Sequence, residues 1–392
     1  MIVMIAPDQT FLDDRIRLFH ADCFDIVKQL ADASIDAVVT DPPYAMASVQ
    51  KRIGKPGSIP FKTGPAARSV AGFMGMQWDN GSVAFNPDFW REIYRVLKPG
   101  GHVAAFSGTR TYHRLAVAIE DSGFEIRDQL AWIYGTGFPK SHSMRDIGRP
   151  ELGTALKPAW EPIVLARKPL IGTVASNVLE HGTGAINIDG CRVGEREKPK
   201  TTNPKHSGHT HTAYGKPSGG GNVLPPGRWP ANLVHDGSDE VVALFPDSKS
   251  SPFYENKLDK AMYGGGIATR AAGGFADSGS AARFFYSAKA DTDSRAGSNH
   301  PTVKPVDLMQ WLARLVTPLG GIILDPFAGS GSTGEAAWRE GFSAHLIEAD
   351  AGYIRDIERR MALVKAGPAT RAHEIVKARG KTQSPGGLFG PD

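Results

Sequence analysis

Cysteine is scarce in this sequence: the 392 residues contain only Cys23 and Cys191. Two cysteines cannot build the disulfide framework of a small secreted domain, and they favour a reducing, cytoplasmic setting. Long apolar runs are also missing, so the sequence predicts no membrane span. The first residues form a short apolar patch without a basic segment before it, which is untypical of a signal peptide. We therefore expect a cytoplasmic protein that does not associate with a membrane.

Acidic residues are absent from residues 45–78, where five basic residues occur. Residues 192–230 contain seven basic residues against two acidic ones, although the whole chain has a net charge of only +4. Such stretches, rich in Gly and Pro, are usually solvated loops. The alternative is contact with a polyanion, because Lys and Arg supply most nucleic-acid affinity through phosphate contacts. The candidate DNA contacts in these loops are Lys51, Arg52, Lys55, Lys200, Lys205 and Arg228.

Apolar runs alternate with segments of helical spacing over much of the chain. Strands are expected within 15–23 and at 35–40, 102–106, 129–134 and 161–167, with helices at 24–31, 86–101 and 111–124. The alternation returns in residues 306–366, and it predicts a mostly parallel α/β sheet. Residues 170–290 break it, being rich in Gly, Pro, Ser, His and Asn. That stretch is too long for a loop inside a compact core, so we interpret it as an inserted substrate-reading region.

The segment DAVVTDPPY, residues 36–44, joins an apolar strand to Asp41, Pro42, Pro43 and Tyr44. Neither proline can donate a hydrogen bond to a sheet, so the strand must end here. Both prolines hold the backbone rigid, and the flanking carboxylate and aromatic ring are therefore held rigidly too. The ordinary explanation is a strand end with a turn of two prolines, since motifs of four residues recur by chance.

A second segment, IILDPFAGSGST, places glycines between a strand and a helix. Glycines at this point let the backbone pass close to a ligand at the carboxyl edge of a sheet. A phosphate loop is excluded because no lysine follows Gly331, and the spacing does not match a dinucleotide fingerprint. Glu348, at the end of the next strand, suits a ribose diol. We expect an adenosine-containing ligand without a pyrophosphate, the alternative being that the glycines serve only a tight turn.

Together these motifs resemble those of the S-adenosylmethionine-dependent DNA amino-methyltransferases. DPPY resembles their catalytic motif, DPFAGSGST their cofactor motif, and HPTVKP (300–305) the segment before the cofactor motif. The order, with DPPY first, is that of the permuted beta group, and RFFYSAKA (283–290) and GRWPANLV (227–234) resemble segments of prophage-type members. The resemblance covers most of residues 15–170 and 280–366. It implies a circularly permuted, doubly wound Rossmann-like methyltransferase sheet with an inserted irregular target-recognition region.

The resemblance also implies a division of the chain and of its functional residues. Residues 1–169 would form the catalytic half, 170–290 the target-recognition region, 291–366 the cofactor-binding half, and 367–392 a flexible tail. Asp41, Pro42, Pro43 and Tyr44 would clamp the amine of a flipped-out base. The residues that would bind S-adenosylmethionine are Asp22, Thr302, Lys304, Asp325, Pro326, Phe327, Ala328, Gly329, Ser330, Gly331, Ser332, Thr333 and Glu348.

Adenine N6 is the expected target, because cytosine-N4 members more often have Ser at the position of Asp41. The alternatives are a cytosine-N4 enzyme, an RNA substrate, and a catalytically silent paralogue that binds nucleic acid or cofactor. The expected partners are double-stranded DNA, a second copy of the chain, and a cognate restriction endonuclease, in a bacterial or phage-infected cell. We predict no metal site, since a set of Cys191, His206, His209 and His211 has short spacing in a loop-like stretch.

Overall fold

The structure is a computed structural model, and five of the six predicted DNA contacts (Lys51, Arg52, Lys55, Lys200 and Lys205) lie outside the residues it describes. The same holds for the three histidines of the rejected metal set. The described residues are 5–44, 83–137, 141, 143–194, 227–249, 278–288, 292–298, 300 and 302–381. No helix within these ranges is long and apolar enough to cross a bilayer.

Within the described ranges the chain forms fourteen strands and nine α-helices. The strands are β1 (Gln9–Phe11), β2 (Ile16–His20), β3 (Ile35–Thr40), β4 (Leu97–Phe106), β5 (Glu125–Ile133), β6 (Ser143–Met144), β7 (Arg149–Gly153), β8 (Trp160–Arg167), β9 (Leu233–His235), β10 (Asp247–Lys249), β11 (Ser278–Ser280), β12 (Tyr286–Ser287), β13 (Ile322–Asp325) and β14 (Ser343–Glu348). The helices are α1 (Cys23–Gln29), α2 (Pro87–Val96), α3 (Tyr112–Glu120), α4 (Val174–His181), α5 (Asp239–Val242), α6 (Val306–Val316), α7 (Ser332–Arg339), α8 (Ala351–Leu363) and α9 (Pro368–Lys381).

Ten of the strands form one sheet in the order β1-β2-β14-β13-β3-β4-β8-β5-β9-β12. The five central strands from β2 to β4 are all parallel to one another. Strand β8 is antiparallel to both of its neighbours, β4 and β5, and β1 is antiparallel to β2. The prediction of a mostly parallel α/β sheet is confirmed, while the reversed β8 carries no signal in the sequence.

Two apolar cores cover the two faces of this sheet, and the alternation of side chains along each strand feeds both. Val38 points to the core that contains residues of α1, α2 and α3, while the adjacent Val39 points to the core of α6, α7 and α8. Every residue of β3 is buried as a result. A strand buried on both faces explains why its sequence is nearly continuously apolar.

Helix α2 is shorter than its sequence pattern predicts. Asn86 caps its first turn by accepting a hydrogen bond from the backbone N–H of Asp88, and Pro87 takes the first helical position. The helix ends at Val96, however, because Leu97 already pairs with Ile35 of β3 and so begins β4. Strand β4 continues through Gly100, whose φ of 77° a side chain would strain.

The described parts of residues 170–290 contain more regular structure than the sequence predicts. Strands β9 and β12 extend the main sheet beyond β5, and β10 and β11 form a separate antiparallel pair. These strands are only two or three residues long, so periodicity could not reveal them. The division of the chain into domains stays a prediction.

Part of the segment predicted as a flexible tail, residues 367–392, lies among the described residues and is helical. Residues 368–381 form α9, which buries Ile375 and the side chain of Arg371. Arg371 lies 2.8 Å from the fully buried carboxylate of Glu335 in α7, which ties α9 to the fold.

Arg360 of α8 is fully buried and connects three parts of the structure. Its guanidinium donates to Glu335 Oε2 at 2.7 Å, to the Ser330 carbonyl at 2.6 Å and to the Ser294 carbonyl at 2.7 Å. Glu335 also pairs with Arg339 at 2.6 Å and with Arg371 at 2.8 Å, so Arg360 is one of three arginines around this buried carboxylate.

We expect Arg360→Met to lower the free energy of unfolding by about 1–3 kcal/mol, because Glu335 then loses one of its three arginine partners and the Ser330 carbonyl loses its charged donor. The matched control is Arg91→Met. Arg91 pairs with Asp88 on the surface, with 57% and 69% of the two side chains exposed, and such pairs are worth about 0–1 kcal/mol. Urea unfolding of both variants measures the difference, and equal losses would contradict the role given to Arg360.

Candidate active site

The ends of β3 and β13 meet at one edge of the sheet although they are far apart in sequence. The two strands pair in parallel, with Ile323 beside Ala37 and Leu324 beside Val38. Thr40, the last residue of β3, donates from Oγ1 to Asp325 Oδ1 at 2.7 Å. The DPPY and DPFAGSGST segments therefore leave the sheet side by side at its carboxyl edge, where ligands of open α/β sheets bind.

A cavity of about 1320 Å³ opens at this edge. It is lined by every predicted catalytic and cofactor-binding residue except Gly331. Its wall also includes residues 154–161, among them Leu156, which is 92% exposed, and Trp160. The cavity is continuous from the DPPY side to the Gly-rich side, so one space is large enough to hold two ligands together.

Four side chains on one wall form a connected group, here called the carboxylate–lysine cluster: Asp41, Tyr44, Glu161 and Lys304. Lys304 Nζ lies 2.6 Å from Asp41 Oδ2 and 3.2 Å from Glu161 Oε2. Tyr44 donates its hydroxyl proton to Glu161 Oε2 at 2.9 Å. Thr111 Oγ1 donates to the Tyr44 carbonyl at 2.9 Å, which fixes the backbone after the two prolines.

The electrostatics of this cluster follow from burial and from the paired carboxylates. Burial alone lowers the pKa of Lys304, but the charges and hydrogen bonds of Asp41 and Glu161 outweigh it and raise that pKa. Burial and the same two carboxylates raise the pKa of Tyr44 well above its usual value, so its hydroxyl stays protonated. Asp41 Oδ1 is buried and has no hydrogen-bond partner among the described residues. A buried acceptor without a donor is costly, and this one belongs to a residue that lines the cavity.

Asp325 holds the start of the Gly-rich loop in place. It accepts hydrogen bonds from the hydroxyls of Thr40 and Thr333 and from the backbone N–H of Phe327. Burial raises the pKa of Asp325 to about 6, and these three donors oppose that shift. The carboxylate thus serves the loop's internal structure.

Glu348, at the end of β14, approaches the same loop from the neighbouring strand. It accepts from the backbone N–H of Gly329 at 2.8 Å and from that of Asp350 at 2.8 Å. Burial raises the pKa of Glu348 to about 7. Gly329 has a φ of 52°, and a Cβ there would lie 3.3 Å from His300 Nε2, so a side chain would be both strained and crowded.

The remaining predicted residues fall in different places. Asp22 caps α1 by accepting from the Phe24 N–H at 2.8 Å, and Thr302 lines the cavity beside His300. Arg228 is not a lining residue of the cavity: its guanidinium lies over the Phe284 ring, and its backbone pairs with Val193.

Sequence reasoning missed three residues of the site. The sequence places Glu161 at the start of a predicted apolar strand, and nothing in the surrounding residues, WEPIVLAR, distinguishes it from a charged residue on the surface. His300 and Tyr353 line the cavity together, with ring centroids 4.5 Å apart. Burial lowers the pKa of His300 to about 4, so it is neutral at neutral pH.

Cys191 does not belong to this site, since it is buried and its Sγ faces the Trp311 carbonyl at 3.7 Å. No cluster of three or more His, Cys, Asp or Glu side chains suited to a metal ion occurs in the described part of the chain.

The raised pKa of Glu348 predicts a pH effect on stability in the absence of ligand. The folded protein keeps a proton on this carboxyl that the unfolded chain, with a pKa near 4.5, has lost, so stability falls as pH rises from about 4.5 to about 7. Glu348→Gln does not ionise. We expect its unfolding temperature relative to the wild type to rise between about pH 5 and pH 8.

The control for this prediction is Glu120→Gln, because Glu120, the last residue of α3, is exposed and has no ion-pair partner in the described part of the chain. The difference in unfolding temperature between this variant and the wild type should stay constant with pH. Calorimetry over the same pH range measures the unfolding temperature of each variant relative to wild type. A value for Glu348→Gln that does not change with pH would contradict the assigned pKa.

A family model described as DNA methylase (N6_N4_Mtase) matches residues 35–359 of the chain. The chain is 26% identical over 200 residues to the type II methyltransferase M.HindIII of Haemophilus influenzae, covering 43% of this chain and 64% of that protein. It is 45% identical over 67 residues to the putative methylase YubD of Escherichia coli, covering 17% of this chain and 30% of that protein. The chain thus spans less than two thirds of either relative.

A solved structure, that of the PvuII DNA methyltransferase, described as cytosine-N4-specific, has a similar fold. The TM-score is 0.50 at 13% identity, and the match covers 96% of this chain and 95% of that one. The family model spans most of the sequence, including both strand-end motifs and the whole cavity wall between them. The protein therefore belongs to the DNA methylase family N6_N4_Mtase.

Proposed function

We propose that the protein is a DNA methyltransferase that transfers a methyl group from S-adenosylmethionine to the N6 amine of an adenine flipped out of the duplex. The observation that carries the proposal is the buried oxygen Asp41 Oδ1, which has no hydrogen-bond partner in the described part of the chain and belongs to a residue that lines the cavity shared with the Gly-rich loop. A buried acceptor of this kind calls for a donor, and an exocyclic amine on a base is such a donor.

The chemistry of the residues at the Gly-rich end supports S-adenosylmethionine as the cofactor. Glu348 and Asp22 present carboxylates to the cavity, and Glu348 is suited to accept from ribose hydroxyls. Gly329 keeps the wall open, since any side chain there would press on His300. When bound, the cofactor supplies a methyl group already activated on a sulfonium.

The residues of the DPPY segment would position the base. Asp41 Oδ1 would accept one hydrogen of the amine, and the carbonyl of Pro42 would accept the other, which leaves the nitrogen lone pair free for attack. The proton that the nitrogen loses on methylation would pass to Asp41 Oδ1 and from there to water. Tyr44 would stack on the base, an interaction of roughly 1–3 kcal/mol.

The stacking role depends on the fixed orientation of the Tyr44 ring. Its hydroxyl is held by Glu161, and its backbone by Thr111. A Cβ built on Gly108 would lie 3.4 Å from Tyr44 Cδ2, an ordinary van der Waals contact, so the backbone at this position packs against the ring. A rigid ring loses little freedom when a base stacks on it, which favours binding.

Double-stranded DNA is the proposed substrate, and the base must leave the stack before Asp41 can reach its amine. The relatives are named as methylases and type II methyltransferases, which supports a search for a cognate endonuclease. A homodimer is a further proposal.

Adenine is proposed as the base because Asp41 stands where the resemblance gives cytosine-N4 enzymes a Ser more often. Cytosine N4 is the second candidate, supported by the fold similarity to a cytosine-N4 enzyme. Asp41 Oδ1 and the Pro42 carbonyl would accept from either amine, so the product must be identified directly.

We expect N6-methyladenine when the purified protein and S-adenosylmethionine are incubated with unmethylated bacterial DNA, followed by digestion to nucleosides and mass spectrometry. N4-methylcytosine would overturn the choice of base and keep the mechanism. No methylated base in DNA, with cofactor still bound, would overturn the proposed function and direct the work to RNA or to a silent paralogue.

We expect Asp41→Asn to reduce the rate of transfer by about 10²–10³-fold. The Asn oxygen must face Lys304 Nζ, so its NH2 group takes the place of Oδ1 and meets the amine donor to donor. Affinity for S-adenosylmethionine, measured by calorimetry, should change less than about threefold, because a role confined to the amine leaves cofactor binding intact.

The control is Asp36→Asn, a buried carboxylate near the other end of β3 that pairs with Lys98 at 2.6 Å. It should lower stability and leave the transfer rate per folded molecule within about threefold of wild type. Full methylation by Asp41→Asn would rule out the catalytic assignment.

A further inference from the structure

Lys304 stands between the two carboxylates of the carboxylate–lysine cluster rather than free in the cavity. The sequence resemblance implies that it approaches the carboxylate of the cofactor. In the structure its Nζ is within 2.6 Å of Asp41 Oδ2 and 3.2 Å of Glu161 Oε2, with only 5% of the side chain exposed. The ring faces of Tyr44 and Phe106, with centroids 5.3 and 5.0 Å away, enclose the ammonium further.

The charges of this cluster balance to a single negative charge. Asp41 and Glu161 carry one each, and Lys304 cancels one of them. Neither carboxylate has another ion-pair partner in the described part of the chain. Without the lysine, the two carboxylates, whose side chains are 18% and 17% exposed, would compete for one proton, because like charges that share a site disfavour each other's ionisation.

The two carboxylate oxygens of Asp41 have different surroundings, because Lys304 contacts only one of them. Oδ2 is occupied by Lys304, while Oδ1 is buried and has no hydrogen-bond partner among the described residues. Turning the carboxylate away from this orientation would lengthen its contact with Nζ. The contact with Lys304 thus fixes the position of the other oxygen, Asp41 Oδ1.

We propose that Lys304 and Glu161 are positioning residues for methyl transfer: they hold the carboxylate of Asp41 in one orientation, with its free oxygen toward the amine of the target base. This inference rests on the proposed function and goes beyond it by giving Lys304 a task other than cofactor binding. Glu161 is needed because it anchors Lys304 and, through Oε2, the hydroxyl of Tyr44.

The other titratable groups around the cluster cannot replace the lysine. Burial raises the pKa of Tyr44 and of Tyr134, and lowers the pKa of His300 to about 4, so all three are neutral at neutral pH. Asp325, whose charge acts on Asp41 from the end of β13, would add a further negative charge. The titratable groups outside the cluster that face it are thus Tyr134 after β5, His300 before α6 and Asp325 on β13.

The test compares Lys304→Met, Glu161→Gln and the double variant with the wild type, after the wild type has been shown to methylate DNA. Methionine keeps the length of the lysine side chain and removes its charge. Glutamine keeps an oxygen that accepts from Tyr44. The double variant restores the single negative charge, because only Asp41 remains charged.

For Lys304→Met we expect transfer at about pH 7 to fall about 10²-fold relative to wild type, and the ratio of the two rates to rise with pH between about 6 and 9. The rise follows because Asp41 and Glu161 then share a proton that must leave before Asp41 can accept. The double variant should transfer at least about tenfold faster than Lys304→Met at about pH 7 and lose the pH dependence of the ratio.

A second readout needs neither cofactor nor DNA. When a carboxyl group has a higher pKa in the folded than in the unfolded state, the stability of the folded protein falls as pH rises toward and through that higher pKa. The unfolding temperature of Lys304→Met should therefore fall relative to wild type between about pH 6 and pH 9, and that of the double variant should not.

The control variant is Lys98→Met, which removes the lysine from its pair with Asp36, where Nζ lies 2.6 Å from Oδ1, the same distance as from Lys304 Nζ to Asp41 Oδ2. It should lose stability, while its ratio of transfer rates to wild type stays constant with pH. If Lys304→Met does not fold, Glu161→Gln decides: transfer should fall about 3–10-fold with cofactor affinity unchanged, and an unchanged rate would overturn the proposal.

Cofactor binding separates this proposal from the role implied by resemblance. Affinities for S-adenosylmethionine and for methylthioadenosine, which lacks the amino-acid carboxylate, should change less than about threefold in Lys304→Met. A loss above about tenfold for S-adenosylmethionine alone would assign Lys304 to the cofactor carboxylate and refute the proposal. A ratio of rates independent of pH, with no gain in the double variant, would refute it as well. A wild type that methylates no DNA would instead refute the proposed function.

Discussion

The parallel pairing of β3 with β13 is the constraint on which the candidate active site depends. It joins segments from opposite ends of the chain, and the hydrogen bond from Thr40 to Asp325 locks the two strand ends together. Asp325 is almost fully buried, which is costly for a carboxyl group, and three donors offset the cost. The same three contacts shape the Gly-rich loop. Stability and site geometry are therefore set by one group of contacts.

The charged side chains of the carboxylate–lysine cluster have a different role from the buried carboxyl group of Asp325. Buried ion pairs contribute little net stability, because the loss of hydration cancels most of the attraction. A cluster of two carboxylates and one lysine is thus poorly explained as a device for folding. The net negative charge of the cluster is better explained as electrostatic stabilisation, since the proposed reaction places positive charge on the amine nitrogen beside Asp41.

The sequence predicts the parts of this site that are local. DPPY and DPFAGSGST each hold their residues within one turn, so their chemistry can be read without the fold, and both line the cavity. The mostly parallel sheet follows from the alternation of strands and helices. The short strands β9 and β12 do not, because segments of two or three residues have no periodicity. Helix α9 was missed for another reason: its link to the fold is the contact between Arg371 and Glu335, which sequence spacing does not reveal.

Glu161 shows why the rest of the site could not be found this way. A search for functional residues in an α/β sheet examines the carboxyl ends of strands, because the loops there surround the ligand. Strand β8 runs antiparallel to β4 and β5, so its amino end lies at that edge. Glu161 is the second residue of β8 and therefore reaches the same cavity as Asp41 at the end of β3. Lys304 arrives from a third direction, the segment before α6, and meets both. The cluster exists only because one strand of the sheet is reversed, and a reversed strand looks the same in sequence as a parallel one.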